Sequence, residues 1–419
     1  MLKKIKFFNT KKDFIFFLSF ILFIFSLNIS YEYYKYKQLT SKKTAILEAY
    51  VLNQYLKTKN KKTYYVLKLK TDDGHIFYTT ASKNWRFIKN KSTKIKIWTD
   101  TISFFGYLKS FYARGWFLHV KEDNSYKSKI SSYIASIHKD NDISKIYQAL
   151  FLAKPLSYQL YNYFSSLGIS HLFAISGFHL GILSGVLFWI FGFILKPLYN
   201  SFFPYKNFKR DIFFLVIICL YGYLLFLDFP PSLTRAFWML VVGFFLYDRG
   251  YEIISFETLF IAICLIIAFK PSIIFSIGFW LSVLGVFYIF LFLLYFKDIK
   301  IYKQFIFIPI FVYLTMLPTS LFIFENFSIY NPISIFITMG FSIFYPLSLA
   351  LHLLGFGNIL DDFILYILSF DINTIKIKIP LLIEIAFLIF SILAARIKLF
   401  FYLLCGFSVI IFLYAISYT

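Results

Sequence analysis

Long apolar runs separated by short polar breaks dominate this chain from about residue 169 onward, and one further run lies near its start. A run of about 18 or more apolar residues can cross a bilayer as helix. The pattern predicts spans over about 169–195, 212–227, 233–247, 255–269, 273–296 and 304–324, and then 332–354, 380–395 and 399–416. The run 332–354 carries Asn331-Pro332, Gly340 and Pro346, which predicts a broken or re-entrant helix shielded by protein or water. The early run, Phe14 to about Ile29, follows the basic MLKKIKFFNTKK and lacks a small-residue cleavage pattern. It reads as an uncleaved first membrane helix with its lysines in the cytoplasm, and in all roughly 9–11 membrane helices are expected.

Between the first run and the rest the period changes. Lys94–Trp98 (KIKIW) alternates with period two, and Thr63–Lys70 and His75–Thr80 flank Asp72-Asp73-Gly74, a hairpin-like loop signal. Residues 31–125 therefore read as a small extracytoplasmic β domain. Residues 126–165 read as an amphipathic helical connector, apolar at Tyr133, Ile134, Ile137, Ile143, Ile146 and Leu150, with His138-Lys139-Asp140 on its solvated face.

Composition narrows the class. The 419 residues are 59 % hydrophobic, 23 % aromatic and 15 % charged, with mean hydropathy +0.70. Soluble domains are nearer 45–50 % apolar, so the fold class is mainly α, a polytopic helical membrane protein. Cys219, Cys264 and Cys405 stand singly, which excludes a disulfide framework or a zinc cluster. A Gly-x-x-x-x-Gly-Lys-Ser/Thr loop is lacking too, so the chain has no nucleotide-driven motor of its own. No catalytic residue, metal or cofactor is expected.

Net charge is +22, and residues 31–145 hold 23 Lys/Arg against 9 Asp/Glu. Two readings fit this basic segment. One is a solvated cationic face over core aromatics, in a chain where 37 of 43 basic residues are lysine. The other is a single-strand nucleic-acid surface, in which Lys68, Lys70, Lys94 and Lys96 meet phosphate while Trp85 and Trp98 stack on bases.

The densest polar constellation inside an apolar run is Ser170–Gly185, SHLFAISGFHLGILSG. Gly177, Gly181 and Gly185 fall four apart and predict close approach of a neighbouring helix. His171, Ser176 and His179 are expensive in a membrane run, and fit either a buried hydrogen-bonded network or a pathway. A second constellation is Asp228 to Met239, DFPPSLTRAFWM, where prolines break a helix and Arg235 lies within the apolar run that follows. Arg235 either snorkels or pairs, with Asp228 the nearest candidate.

These stretches carry a resemblance. GISHLFAISGFHLGIL, Gly168 through Leu183, resembles the signature of the ComEC family of competence membrane channels. PSLTRAFWM is similar to a second element of that family at Pro231, Ser232, Arg235, Ala236 and Met239. KPSIIFSIGFWLSV matches a third at Pro271, Gly278, Phe279, Leu281 and Ser282, with Trp280 where the family usually has Gln. Leu317-Pro318 through Asn331-Pro332 resembles a fourth, so about 150–355 is covered in order.

The resemblance implies a channel passing single-stranded DNA across the inner (cytoplasmic) membrane during natural transformation. An OB-like fold is implied for 31–125, and the metallo-β-lactamase-like domain of many members has no counterpart motif here. The implied layout is an anchor helix (1–30), the OB-like domain (31–125), the connector (126–165), the channel core (166–355) and C-terminal helices (356–419). Implied partners are single-stranded DNA, the lipid bilayer, a periplasmic DNA-binding protein and a cytoplasmic helicase or ATPase, with homo-oligomerisation left open. His171, Ser176, His179, Asp228 and Arg235 become candidates for the DNA path, and Gly177, Gly181, Gly185 and Gly278 for helix packing. The alternative is a polytopic transporter of a small solute, lipid or oligosaccharide built on the same broken helices.

Overall fold

The computed structural model describes residues 10–59, 62–71, 73–89, 91–121, 126–173, 175–202, 205–251 and 254–418. Asp72 and Ala174, each part of a stretch singled out above, lie outside them. The fold is mainly helical with a small sheet near the N-terminus, and it divides into two compact units.

One unit comprises 8–132 together with 261–279. Its first helix, α1 (Lys11–Thr40), opens with a capping box between Thr10 and Asp13 and runs ten residues past the expected end of the anchor. A six-stranded sheet follows, built from β1 (Thr44–Lys59), β2 (Lys62–Thr71), β3 (Ile76–Ser82), β4 (Ser92–Trp98), β5 (Phe111–Tyr112) and β6 (Gly115–Lys121), with α2 (Phe104–Lys109) before β5. The strand order is β5-β3-β2-β1-β4-β6, antiparallel except for β3 with β5. The edge strands β5 and β6 are consecutive in the chain and joined only by Ala113 and Arg114. The Ala113 amide donates to Tyr78 O on one edge, and Arg114 O accepts from Trp98 on the other. A two-residue link between opposite edges forces the sheet to curl.

Alternation makes the inside of that curl. Ala49, Val51, Leu67, Leu69, Phe77, Ile95 and Ile97 are buried, while Lys94 and Trp98 point outward. The predicted strands are present as β2, β3 and β4, and β1, β5 and β6 are additional to them. Buried Gln54 pins the 86–88 loop, accepting from the Ile88 amide at 2.8 Å and donating to Arg86 O at 3.2 Å. Beyond the end of β4 pairing at Tyr50, β1 continues against β2, which β3 still flanks as far as Tyr64, and only Thr58–Thr63 and Lys59–Lys62 extend as a two-stranded tip. A 3-10 turn, Pro271–Phe275, adds Phe275 against Phe105 of α2, ring centroids 4.8 Å apart.

The other unit comprises 133–260 and 280–419. Its helices are α3 (Tyr126–Ile137), α4 (Asn141–Leu152), α5 (Tyr158–Ser166), α6 (Ser170–Phe173), α7 (Gly177–Phe202), α8 (Phe208–Phe226), α9 (Pro231–Asp248), α10 (Phe256–Phe269), α11 (Ile277–Tyr295), α12 (Ile301–Phe324), α13 (Ile333–Leu353), α14 (Asp361–Leu368), α15 (Leu381–Ala394) and α16 (Lys398–Ser417); α3, α10 and α11 have one end in the first unit. Two-residue strands β7 (Asn326–Phe327) and β8 (Ile375–Lys376) pair antiparallel.

Among the described residues six helices are long and apolar enough to cross a membrane: α1, α7, α11, α12, α13 and α16. The apolar helices α10 and α15 are shorter, and α8 begins with Lys209, Arg210 and Asp211. The 9–11 spans expected from hydropathy start to be reached when these three helices are added to the six, and α9 makes ten.

Two expectations change. The run 332–354 is not broken: α13 is continuous through Gly340 and Pro346, with Pro332 at its start and Asn331 O accepting from the Ser334 amide. The break falls instead inside the signature stretch, between α6 and α7.

Candidate functional site

The break explains the signature chemistry. Ser176 precedes α7, and its Oγ accepts from the Phe178 amide at 3.3 Å. Three residues on, His179 Nδ1 accepts from the Ser176 amide at 3.2 Å. This is a variant of the capping box, with histidine in the place usually held by Glu or Gln and the serine accepting from the second helical amide instead of the third. Because Nδ1 accepts, it carries no proton, and the imidazole is the neutral Nε2–H tautomer. The ring is 1 % exposed and sits edge-on to Phe341 and Tyr345 of α13, with centroids 5.0 and 4.8 Å away. A neutral, caged, capping histidine orders the start of α7.

The second element docks on the first. Ser232 of α9 donates to Ile175 O, one residue before the cap. A Cβ added at Gly177 would lie 3.2 Å from Ala236 Cβ, so this glycine sets the approach of α7 to α9. Gly181 and Gly185 have nothing within 4 Å of such a Cβ, and Gly278 is exposed. On α7 it is Gly177 whose added Cβ would meet a neighbouring helix, whereas Gly181 and Gly185 lie exposed with open space at that position.

His171 lies on the short α6 and is exposed, on the far side of the break from buried His179. Arg235 is 8 % exposed on α9, whereas Asp228 is exposed, with φ of 62° in the turn before it. A polar cavity of about 420 Å³ lies among Asn162, Ser166, Glu325 and Lys376, and an apolar one of about 320 Å³ among Leu172, Phe173, Phe341 and Phe344. Neither is lined by His171, Ser176, His179, Asp228 or Arg235.

In the sheet-bearing unit the candidates separate into two groups. Lys94, Lys96 and Trp98 face outward from β4, where Lys96 pairs in register with Trp116 and Lys94 with His119 of β6. Trp116 is 67 % exposed. Lys94 also lies 3.9 Å from Glu48, a contact open to solvent. The result is one outward face with alternating cations and indoles. Lys68 and Lys70 lie on β2, paired with Tyr78 and Ile76 of β3. Burial pulls the Lys68 ammonium below its ordinary pKa, a poor setting for a phosphate contact. Trp85 is half-buried and stacked on Phe117 at 5.4 Å, so one indole face is already covered.

Two buried polar groups escaped the sequence reading. Glu384 of α15 is 3 % exposed, and its Oε1 accepts from Thr319 Oγ1 of α12 at 2.7 Å. A single acid in the run LLIEIAFLIF was the available signal. His138, expected on a solvated face, is buried instead, with Nδ1 2.9 Å from Asp361 and Nε2 3.0 Å from His352. Lys139 and Asp140 beside it are exposed, so the polar triplet was right for its neighbours only. Among the described residues no group of three or more His, Cys, Asp or Glu side chains is arranged to hold a metal.

A bundle of membrane-length helices with a capped helix break and a small curled sheet defines a multi-pass membrane protein. The family model described as Competence protein matches residues 153–417, and the chain belongs to that family. The match starts near α4 and runs into α16, so it includes the C-terminal helices as well as the four motif stretches. The ComEC-type resemblance is borne out. No curated protein and no solved structure matches the chain.

Proposed function

We propose that this competence protein conducts single-stranded DNA across the cytoplasmic membrane during DNA uptake. Membership of the family over 153–417 carries the reading. The outward β4–β6 face supports it. Lys94 and Lys96 supply cations, Trp98 and Trp116 supply stacking surfaces, and the spacing suits a strand held by its backbone and read without sequence preference. On this proposal 31–125 is an OB-like receiving domain outside the cytoplasm, and the helices supply the path. A periplasmic DNA-binding protein would deliver the strand, and a cytoplasmic helicase or ATPase would pull it.

The capped start of α7 and its contact with α9 then act as framework, holding the helix break that the path needs. His179 and Ser176 serve that framework. Binding of fluorescent single-stranded oligonucleotide to the full chain in nanodiscs, across a salt series, tests the receiving face. Each phosphate contact contributes about 0.7 to the log–log salt slope for single strands. The Lys94→Gln/Lys96→Gln double variant should therefore lower the slope by about 1.4. An unchanged slope and affinity would remove the face from the account.

A further inference from the structure

Three residues far apart in sequence form a continuous hydrogen-bonded chain in the helical unit. His138 lies between α3 and α4, His352 on the last turn of α13, and Asp361 at the start of α14. His138 Nδ1 is 2.9 and 3.0 Å from the two Asp361 carboxylate oxygens. His138 Nε2 is 3.0 Å from His352 Nε2, and His352 Nδ1 is 2.7 Å from Ser348 O. Tyr147 of α4 covers both rings, stacked on His138 at 4.6 Å and 4.4 Å from His352. The His138 side chain is fully buried and His352 is 4 % exposed.

The proton count follows from these contacts. A carbonyl oxygen only accepts, so His352 Nδ1 carries a proton. One proton must lie between the two Nε2 atoms, and one between His138 Nδ1 and Asp361. Two neutral imidazoles hold only two protons. The third makes one ring an imidazolium, whose charge Asp361 balances. The near-equal distances to both oxygens suit an N–H shared by an ionised carboxylate. Without the third proton either the two Nε2 lone pairs would face each other at 3.0 Å, or the His138 Nδ1 lone pair would face the Asp361 carboxylate at 2.9 Å.

We propose that His138, His352 and Asp361 form a buried site that binds a single proton, and that this proton latches the α3–α4 connector to the end of α13 and the start of α14. The titratable groups facing the site are few. Tyr147 Oη is buried with no partner among the described residues, and burial pushes its hydroxyl up, so it stays neutral. Tyr133 donates to His352 O at 3.3 Å. Lys139, Asp140 and Asp362 are exposed. Gly357 completes the enclosure, because a Cβ there would lie 2.8 Å from the His352 ring.

The test is nitrogen NMR of the full chain in nanodiscs with all six histidines labelled with nitrogen-15. At pH 7.5 the wild type should show one imidazolium, with both ring nitrogens protonated. Asp361→Asn keeps an acceptor for His138 but removes the charge, and should lose that signal; His138→Gln should lose it as well. Amide exchange over 138–147, corrected for its intrinsic pH dependence, should accelerate in the wild type as the imidazolium is titrated away. That exchange readout needs no variant to fold. Wild-type histidines that are all neutral at pH 7.5 would overturn the proposal, as would an imidazolium unchanged in Asp361→Asn, exchange independent of its titration, or a stoichiometric metal ion found between the rings.

Discussion

Lowering the pH from 8 to 4 should weaken the sheet-bearing unit through His75. This imidazole follows the tight Gly74 turn, its side chain 16 % exposed. Tyr107 Oη lies 2.9 Å from His75 Nε2 and donates to it when that nitrogen is unprotonated, with a Glu32 carboxylate oxygen 3.6 Å from the same nitrogen. Burial holds the imidazole down at about 4, against an ordinary value of 6.5, with Lys35 and Lys270 adding to the depression and Asp73 opposing it. Between those values the unfolded chain binds a proton that the folded chain does not, so stability is complete above pH 6.5 and falls as pH drops toward 4. At 1.36 kcal/mol per pKa unit the loss is about 3 kcal/mol. Urea unfolding of the full chain in detergent, followed by tryptophan fluorescence at steps from pH 8 to 4, measures it. His75→Gln should show a flatter profile over that interval, and Tyr107→Phe should shift the transition toward higher pH. Parallel profiles for wild type and His75→Gln would show that His75 does not carry the pH dependence.

Other substitutions separate contacts that look alike in sequence. Gly177→Leu should force α7 from α9 and cost about 1–3 kcal/mol in thermal unfolding, while Gly181→Ala and Gly185→Ala, with open space around the new methyl, should be neutral or stabilise by up to about 1 kcal/mol. Thr319→Val strips Glu384 of its donor and should destabilise by about 1–3 kcal/mol, whereas Glu384→Gln should restore most of that loss, both read as thermal midpoints. Gly357→Ala should disturb His352 and reproduce the stability loss of His352→Ala, because the ring is buried and cannot move aside.

Much of this architecture was readable because it rests on local periodicity. Lys94-Ile95-Lys96-Ile97-Trp98 announces a strand with one wet face, and the apolar runs announce membrane helices. Motif order carried the family, and family membership extends to the last helix. The less legible features depend on long-range pairing or on one unusual residue. His138 reads as solvated beside Lys139 and Asp140, since its partner Asp361 is 223 positions away. The helix break was assigned to 332–354 because proline and glycine draw attention there, yet Pro346 is accommodated within α13. The real break has neither proline nor glycine before it. Its mark is Ser176 followed at the third position by His179, a capping pattern hidden by the unexpected imidazole. Gly181 and Gly185 follow Gly177 at four-residue spacing, but spacing cannot say which of the three a neighbouring helix meets.

A chain that conducts DNA across the membrane must be needed for its delivery to the cytoplasm. The direct measurement is the amount of labelled transforming DNA reaching a DNase-protected cytoplasmic pool in cells lacking this chain, with and without complementation. The pool should be lost in the deletion, restored by the wild type, and reduced by Lys94→Gln/Lys96→Gln at elevated salt. A protected cytoplasmic pool of normal size in the deletion strain would contradict that requirement.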